Sequence, residues 1–461
     1  MVPMNKVRFA ITVFLTALFL QLFFLCCMRT EYHAITMAHG NLAFNVYRYT
    51  IPALSCSLTH TMHALQNGKA QLIEYAVVRN DDFGKPAIPF PVNDTIGYGL
   101  LLGILWKCSH SLLFMDVIVL QIMIYLIMFL LFYKSVQWLC DESTARYATI
   151  AFLFYMPLVA LNVHAVRDVW AAYGAITLLF AVIGYINNRF SWILLLPCLL
   201  WISICLWIRP SLFLAMIIFS VILMMNAIMH HKSRKKSITM VIFLWTTTGI
   251  SFWLPLFYFN TVTYDRLFVG PVGQDLLEGL GEFENPWEHQ LSDEYVAQLI
   301  HKKYGYLYGT PAFDDAAKKE FDRAYQEQPS LFWKHMIQRI PMLIMPALPW
   351  IFYEESPYCG LTTKDKIQRL ISSPWLWLDG IARYLFIWMY LLMGYAGLIL
   401  LCKHKKWMPF IYIIALLCAS WAKLPSHIEY RYLTPYYWVL CISIGYLVAT
   451  IKKRGAHCAP L

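Results

Sequence analysis

The run from Phe9 to Cys27 holds 19 residues without a charge, directly after Lys6 and Arg8. A helix crosses a bilayer with about 20 apolar residues, so this run predicts a first span. No small-x-small cleavage site follows it, and Leu25 before Cys26 is not the small residue a lipoprotein signal places there. The expectation is an uncleaved anchor, not a signal peptide. Nine further apolar runs lie at 112–133, 145–163, 169–186, 191–208, 211–229, 239–259, 378–402, 408–422 and 433–451. The pattern predicts an all-α integral membrane protein of about ten transmembrane helices.

Two other apolar stretches do not fit a span. Ile96 to Trp106 is too short, and Leu331 to Phe352 is interrupted by Pro341, Pro346 and Pro349. Both predict interfacial helices, with Trp106, Trp333 and Trp350 at headgroup depth. No internal repeat or low-complexity linker is visible. The expected organisation is a single polytopic domain, 1–461, with two sizeable outer segments at 28–111 and 260–377. Inside the second, Ser292-Asp293-Glu294-Tyr295 predicts a helix start, and another helix is expected from Asp314-Asp315 to Gln326, stopped by Pro329.

Charge fixes the orientation. With the N-terminus inside, Lys134 to Arg146, Arg189, Lys232 to Lys236, Lys403 to Lys406 and Lys452 to Arg454 all fall on the cytoplasmic side. The short outer connections carry only Arg167, Arg209, Lys423 and Arg431. This is the positive-inside asymmetry. It also accounts for the net charge of +10, from 37 Lys and Arg against 27 Asp and Glu, without a nucleic-acid partner. With 59% hydrophobic and 14% charged residues, and a mean hydropathy of +0.53, the chain is neither disordered nor an ordinary water-soluble enzyme. The twelve cysteines show no C-x-x-C spacing and several, such as Cys198, Cys205, Cys418 and Cys441, sit within apolar runs. That pattern does not describe a zinc or redox framework. Cys56 and Cys359 both fall on the outer segments.

Ionisable residues at the membrane boundary are the candidates for chemistry, because placing charge there costs energy that something must offset. Four positions stand out on one expected face: Glu31, four residues past the first run; Arg167-Asp168 between the third and fourth; Arg209-Pro210 at the end of the fifth; and His427-Ile428-Glu429-Tyr430-Arg431-Tyr432 before the last. Each acid has a cation beside it, so local pairs, Arg167 with Asp168 and Glu429 with Arg431, are one reading. The other is convergence of acids and cations on a substrate with an anionic part and a proton to remove.

Glu31-Tyr32-His33-Ala34, through Ala38 and Gly40, resembles the acid-x-x-Tyr pattern after the first span of GT-C glycosyltransferases, in particular the protein mannosyltransferase and aminoarabinose transferase group. Lys85-Pro86 to Gly97-Tyr98-Gly99-Leu100-Leu101, with Asp94, is similar to that group's Pro-rich stretch leading into its first interfacial helix. Asp168 matches the group's second outer acid, and Glu429-Tyr430-Arg431-Tyr432-Leu433-Thr434-Pro435 its acid-x-Arg-Tyr-x-x-Pro signature. Two positions depart from the group: Glu31 stands where Asp is usual, and Pro86-Ala87-Ile88-Pro89 replaces a tandem Pro-Pro.

The resemblance implies a GT-C-like membrane enzyme that moves a sugar from a polyprenyl-phosphate carrier to a lipid, protein or glycan hydroxyl on the non-cytoplasmic face, in a membrane of the bacterial plasma-membrane type. It implies Glu31 and Asp168 as catalytic acids, with Lys85, Asp94, Arg209, His427, Glu429 and Arg431 binding substrate. A divalent cation is left open. The chemistry of these residue types agrees. The acceptor hydroxyl must lose its proton to a carboxylate, and a guanidinium meets a leaving phosphate through a planar fork. The rivals are a lipid-linked sugar flippase or transporter, a polysaccharide polymerase or ligase, and a non-catalytic scaffold. Transporters favour midplane charge and inverted repeats, and neither is evident here.

Overall fold

A computed structural model describes residues 6–27, 96–110, 115–163, 167–189, 191–229, 231–267, 270, 272–306, 308, 310–344, 386–421, 424–426 and 430–458. Among these residues the chain is helical throughout, with no strand. The order is α1 (Lys6–Cys27), α2 (Ile96–Ser109), α3 (Met115–Leu139), α4 (Glu142–Leu153), α5 (Met156–Asn162), α6 (Val169–Ile186), α7 (Trp192–Ile208), α8 (Leu212–Met229) and α9 (His231–Thr248). A π turn, Gly249–Trp253, joins α9 to α10 (Leu254–Tyr264). Then come α11 (Val272–Leu280), α12 (Asp293–Tyr304), α13 (Pro311–Glu327) and α14 (Pro329–Ile344). A second π turn, Phe386–Leu392, leads into α15 (Met393–Lys403), followed by α16 (Trp407–Ser420), α17 (Tyr430–Tyr437) and α18 (Leu440–Cys458).

Six of these helical stretches are long and apolar enough to cross a membrane, or seven if the bent pair α4–α5 is one span. The apolar helices at Trp192–Ile208, Trp388–Lys403 and Trp407–Ser420 are shorter. The protein is thus an all-α, multi-pass membrane protein. Helix α6 is its hub: 83% of Val169–Ile186 is buried, against 28% of Arg8–Leu25 and 22% of Arg234–Thr261. A helix apolar on every side is one wrapped by neighbours, and α6 packs against α3, α7, α8, α9 and α17.

Prolines break the spans, and distant side chains repair the breaks. Pro157 cannot supply the N–H that Leu153 would accept, and its ring crowds that carbonyl. The helix stops at Leu153, and α5 leaves at 55°. With Tyr155 N–H turned to Phe152 O, the Ala151 carbonyl is taken by the Tyr390 hydroxyl instead. Tyr155, itself fully buried, donates to Thr434 O at 3.0 Å, where α17 is ending. At Pro255 the missing N–H leaves Ser251 O, and Trp207 Nε1 supplies a donor at 2.9 Å. In hydrocarbon, water is not there to do this.

The segment from α11 to α13 builds a core of its own, from Leu277, Leu280, Val296, Ile300, Phe313, Ala317 and Phe321. The caps explain its helix boundaries. Ser292 accepts the Tyr295 N–H and starts α12, as the sequence predicts. Helix α13 begins at Pro311, earlier than the expected Asp314, because Thr310 caps the Phe313 N–H and Pro suits the first position. Of the stretch expected as an interfacial helix at 331–352, residues 345–352 lie outside the described residues, and the described part lies in helix α14, Pro329–Ile344, which passes through Pro341. Its exposed side presents Trp333, Ile337, Ile340 and Ile344, and its inner side His335, Arg339 and Leu343.

Candidate functional site

Asp168 precedes the first residue of α6, and Arg209 follows the last residue of α7. These two helices pack side by side, which brings their ends together. Arg209 Nη2 stands 2.9 Å from Asp168 Oδ1. The pair is sunk in the protein, with the residues 9% and 2% exposed respectively. Its charge contact is close, but Oδ1 receives no aligned hydrogen bond. The sequence also allowed Arg167 as the partner of Asp168; the ion pair formed is with Arg209.

Two tyrosines enclose the pair. Helix α2 lies against the last turn of α7, so close that a Cβ at Gly97 would sit 2.3 Å from the Trp207 carbonyl carbon. That contact sets the neighbouring Tyr98, fully buried, within the field of Asp168. Burial first, and the Asp168 charge second, raise the Tyr98 hydroxyl well above its usual value. Tyr98 therefore remains a neutral hydrogen-bonding group. Helix α17 also packs on α6, and its buried Tyr436 lies by Ser211 within the field of Arg209 and Asp168.

Beneath the pair a buried polar network ties four helices together. Asn162 Nδ2 donates to Gln21 Oε1 at 2.8 Å, and Gln121 Nε2 donates to Asn162 O at 3.0 Å. The Tyr173 hydroxyl sits between Asn162 Oδ1 and Gln121 O, and Trp170 Nε1 reaches Gln121 Oε1 at 3.4 Å. The network fixes the first turns of α6, and so the position of Asp168. Sequence reasoning missed Tyr98, Tyr436, Asn162, Gln21 and Gln121 as parts of the site. Gln21 and Gln121 carried a usable signal, because amides within apolar runs need buried partners.

The other expected site residues divide clearly. Arg431 lies in the first turn of α17, which packs on α6, so its backbone belongs to this end of the bundle. Its side chain, and Glu31, Lys85, Asp94, His427 and Glu429 entirely, lie outside the described residues.

A second concentration of buried charge lies in the α11–α13 segment. Gln274 Nε2 lies 2.8 Å from both Glu278 Oε1 and Asp293 Oδ1. Burial, helped by Asp293 and Asp275, pushes the Glu278 carboxyl far above the usual carboxylate range. Asp314 accepts the Gln274 N–H at 3.0 Å, yet burial still raises it to about 6. Among the described residues no group of three or more His, Cys, Asp or Glu is placed to hold a metal ion.

No protein-family model matches the chain, and no curated protein or solved structure shows significant similarity to it.

Proposed function

We propose that the chain is a membrane glycosyltransferase of GT-C type. It would span the bilayer about ten times with its N-terminus inside, and move a sugar from a polyprenyl-phosphate carrier to a hydroxyl acceptor on the outer face. The buried Asp168–Arg209 pair carries this reading. It sits where three apolar helices end, beside two buried tyrosines, and a guanidinium held in place by a carboxylate is suited to receive a phosphate.

In this scheme the acceptor oxygen attacks the anomeric carbon while its proton passes to Glu31. The bond from that carbon to the phosphate oxygen breaks, and its electron pair leaves on the carrier phosphate. Arg209 and Arg431 take up the growing negative charge. Asp168 orients Arg209 and faces the sugar, with Tyr98 and Tyr436 as neutral donors. Lys85, Asp94, His427 and Glu429 complete substrate binding from the flanking segments.

A second reading has its own observation. The discontinuous helices α4–α5 and α17–α18 meet through Tyr155 and Thr434, and transporters place substrate sites at broken helices. Sealed vesicles loaded with radiolabelled polyprenyl-phosphate sugar separate the two. Label appearing on an acceptor supports transfer, whereas label that only changes leaflet supports a flippase.

A further inference from the structure

Arg339 is 1% exposed, and an arginine is almost never buried so deeply without partners. Its guanidinium is divided among separate pieces of chain. Nε donates to Glu282 Oε2 at 2.6 Å, Nη1 to Leu424 O at 3.1 Å, and Nη2 to Gly279 O. The same group lies over the Phe283 ring at 5.7 Å, and His335, one turn earlier, packs on that ring at 5.2 Å. Gly279 makes the approach feasible, since a Cβ there would stand 2.0 Å from Ser426 O. The end of α11, helix α14 and the 424–426 turn therefore form one dry joint.

In sequence only three residues separate that turn from α17, whose buried Tyr436 lies within the field of Arg209 and Asp168. We propose that Arg339 is a positioning residue: it fixes the 424–426 turn to the outer α11–α14 module, and so sets where α17 stands against the Asp168–Arg209 pair. A partner needed only to balance Glu282 would turn its fork of nitrogens to that carboxylate. Here two of the three nitrogens go to backbone carbonyls from two different segments, which is a geometric constraint and not charge balance. The joint is independent of the reaction assigned to the site; its effect on substrate rests on the glycosyl-transfer reading.

Hydrogen exchange of the Tyr430–Tyr437 amides, on the full chain in nanodiscs, tests the joint. Arg339→Lys keeps a charge for Glu282 but cannot reach both carbonyls, so exchange in α17 should rise about tenfold while α6 stays protected. Gly279→Ala should do the same by pushing on Ser426 without touching a charge, and it decides the matter if Arg339→Lys does not fold. Trp333→Ala, on the exposed side of α14, should leave α17 as in the parent. Unchanged α17 exchange in Gly279→Ala and in folded Arg339→Lys overturns the proposal. Binding of a short-chain polyprenyl phosphate should weaken about fivefold in the same variants. A loosened α17 with unaltered phosphate affinity overturns the link from joint to site. A parent protein that binds no such phosphate, while the variants still loosen α17, overturns the functional reading and leaves the joint standing.

Discussion

Asp168 and Arg209 meet at 2.9 Å across the ends of α6 and α7, both buried, and neither is the other's neighbour in sequence. A buried pair of this kind contributes little net stability as a pair, but losing one partner strands the other charge. Asp168→Asn or Arg209→Met should each cost about 3–5 kcal/mol, whereas Asp168→Leu with Arg209→Met should recover most of that loss. Thermal unfolding in detergent reads the difference. A double variant no more stable than either single one would show that the site depends on charge itself. Transfer activity should be lost in the two variants that lack Arg209, since the phosphate would have no guanidinium to meet, and fall in Asp168→Asn, where Arg209 loses the carboxylate that orients it.

Tyr155→Phe removes a single hydroxyl and leaves Thr434 O without its 3.0 Å donor at the point where α17 ends. An unsatisfied buried acceptor costs about 1–3 kcal/mol in soluble proteins, and helix-bridging bonds in membranes are worth nearer about 0.6 kcal/mol on average. The expected loss is about 1 kcal/mol, seen as a lowered unfolding temperature with unchanged helix content. Stability equal to the parent would mean that the broken helices hold together by packing alone.

The α11–α14 segment should respond to pH in a direction its buried acids dictate. Asp314 is raised from 3.8 to about 6 in the folded chain, mainly by burial. A raised pKa favours folding while the group is protonated, so this contribution is present below about pH 4 and is lost as pH rises through about 6. Glu278 is raised in the same sense and prolongs the decline toward higher pH. His335 acts oppositely: burial and Arg339 lower it, so its contribution is lost as pH falls below its usual 6.5. Asp314→Asn should flatten the decline between pH 4 and 7 in the α11–α13 amides followed by hydrogen exchange. An unchanged slope would show that Asp314 is not the titrating group.

The apolar pattern made the helices legible, and with them the cap at Ser292. It did not give the effect of proline: 145–163 reads as one span yet breaks before Pro157, and α14 runs through Pro341. It could not say which helix is central, because the runs at 169–186 and 239–259 look alike in sequence while their burial differs widely. The candidate site was readable in its charges and not in its pairing. Asp168 and Arg209 were both conspicuous at run ends, yet the partner of Asp168 depends on α6 and α7 lying side by side. Arg339 was hidden, since a cation in an amphipathic outer helix ordinarily faces water, and only tertiary packing buries it.

Orientation can be checked without any assumption about activity. On the proposed topology the positive-inside asymmetry would put Lys232–Lys236 in the cytoplasm and the α11–α14 segment on the opposite side. A cysteine introduced at Lys235 should react with a membrane-impermeant maleimide only after the cells are opened. One introduced at Asp315, exposed on α13, should react in intact cells, although the change also removes its 2.6 Å pairing with Arg266. Equal labelling of both positions in intact cells would remove the ten-span arrangement and with it the common outer face.

The assignment of Glu31 as base is the sharpest consequence of the functional reading. Glu31 comes four residues after α1, and α1 reaches the site through Gln21, whose amide bonds Asn162 in the network beneath Asp168. Asp168 is the poorer candidate, because its carboxylate is already engaged by Arg209 at 2.9 Å and serves to orient that guanidinium. Glu31→Gln keeps size and polarity while removing the base. Turnover should therefore fall about 10²–10⁴-fold, with expression and polyprenyl-phosphate binding retained. Glu31→Asp should keep part of the rate, since the carboxylate is preserved but set back by one methylene. If Glu31→Gln transfers sugar at nearly the parent rate, Glu31 is not the base; loss in Asp94→Asn would then assign the role to Asp94, and loss in Asp168→Asn alone would leave Asp168 as the remaining acid.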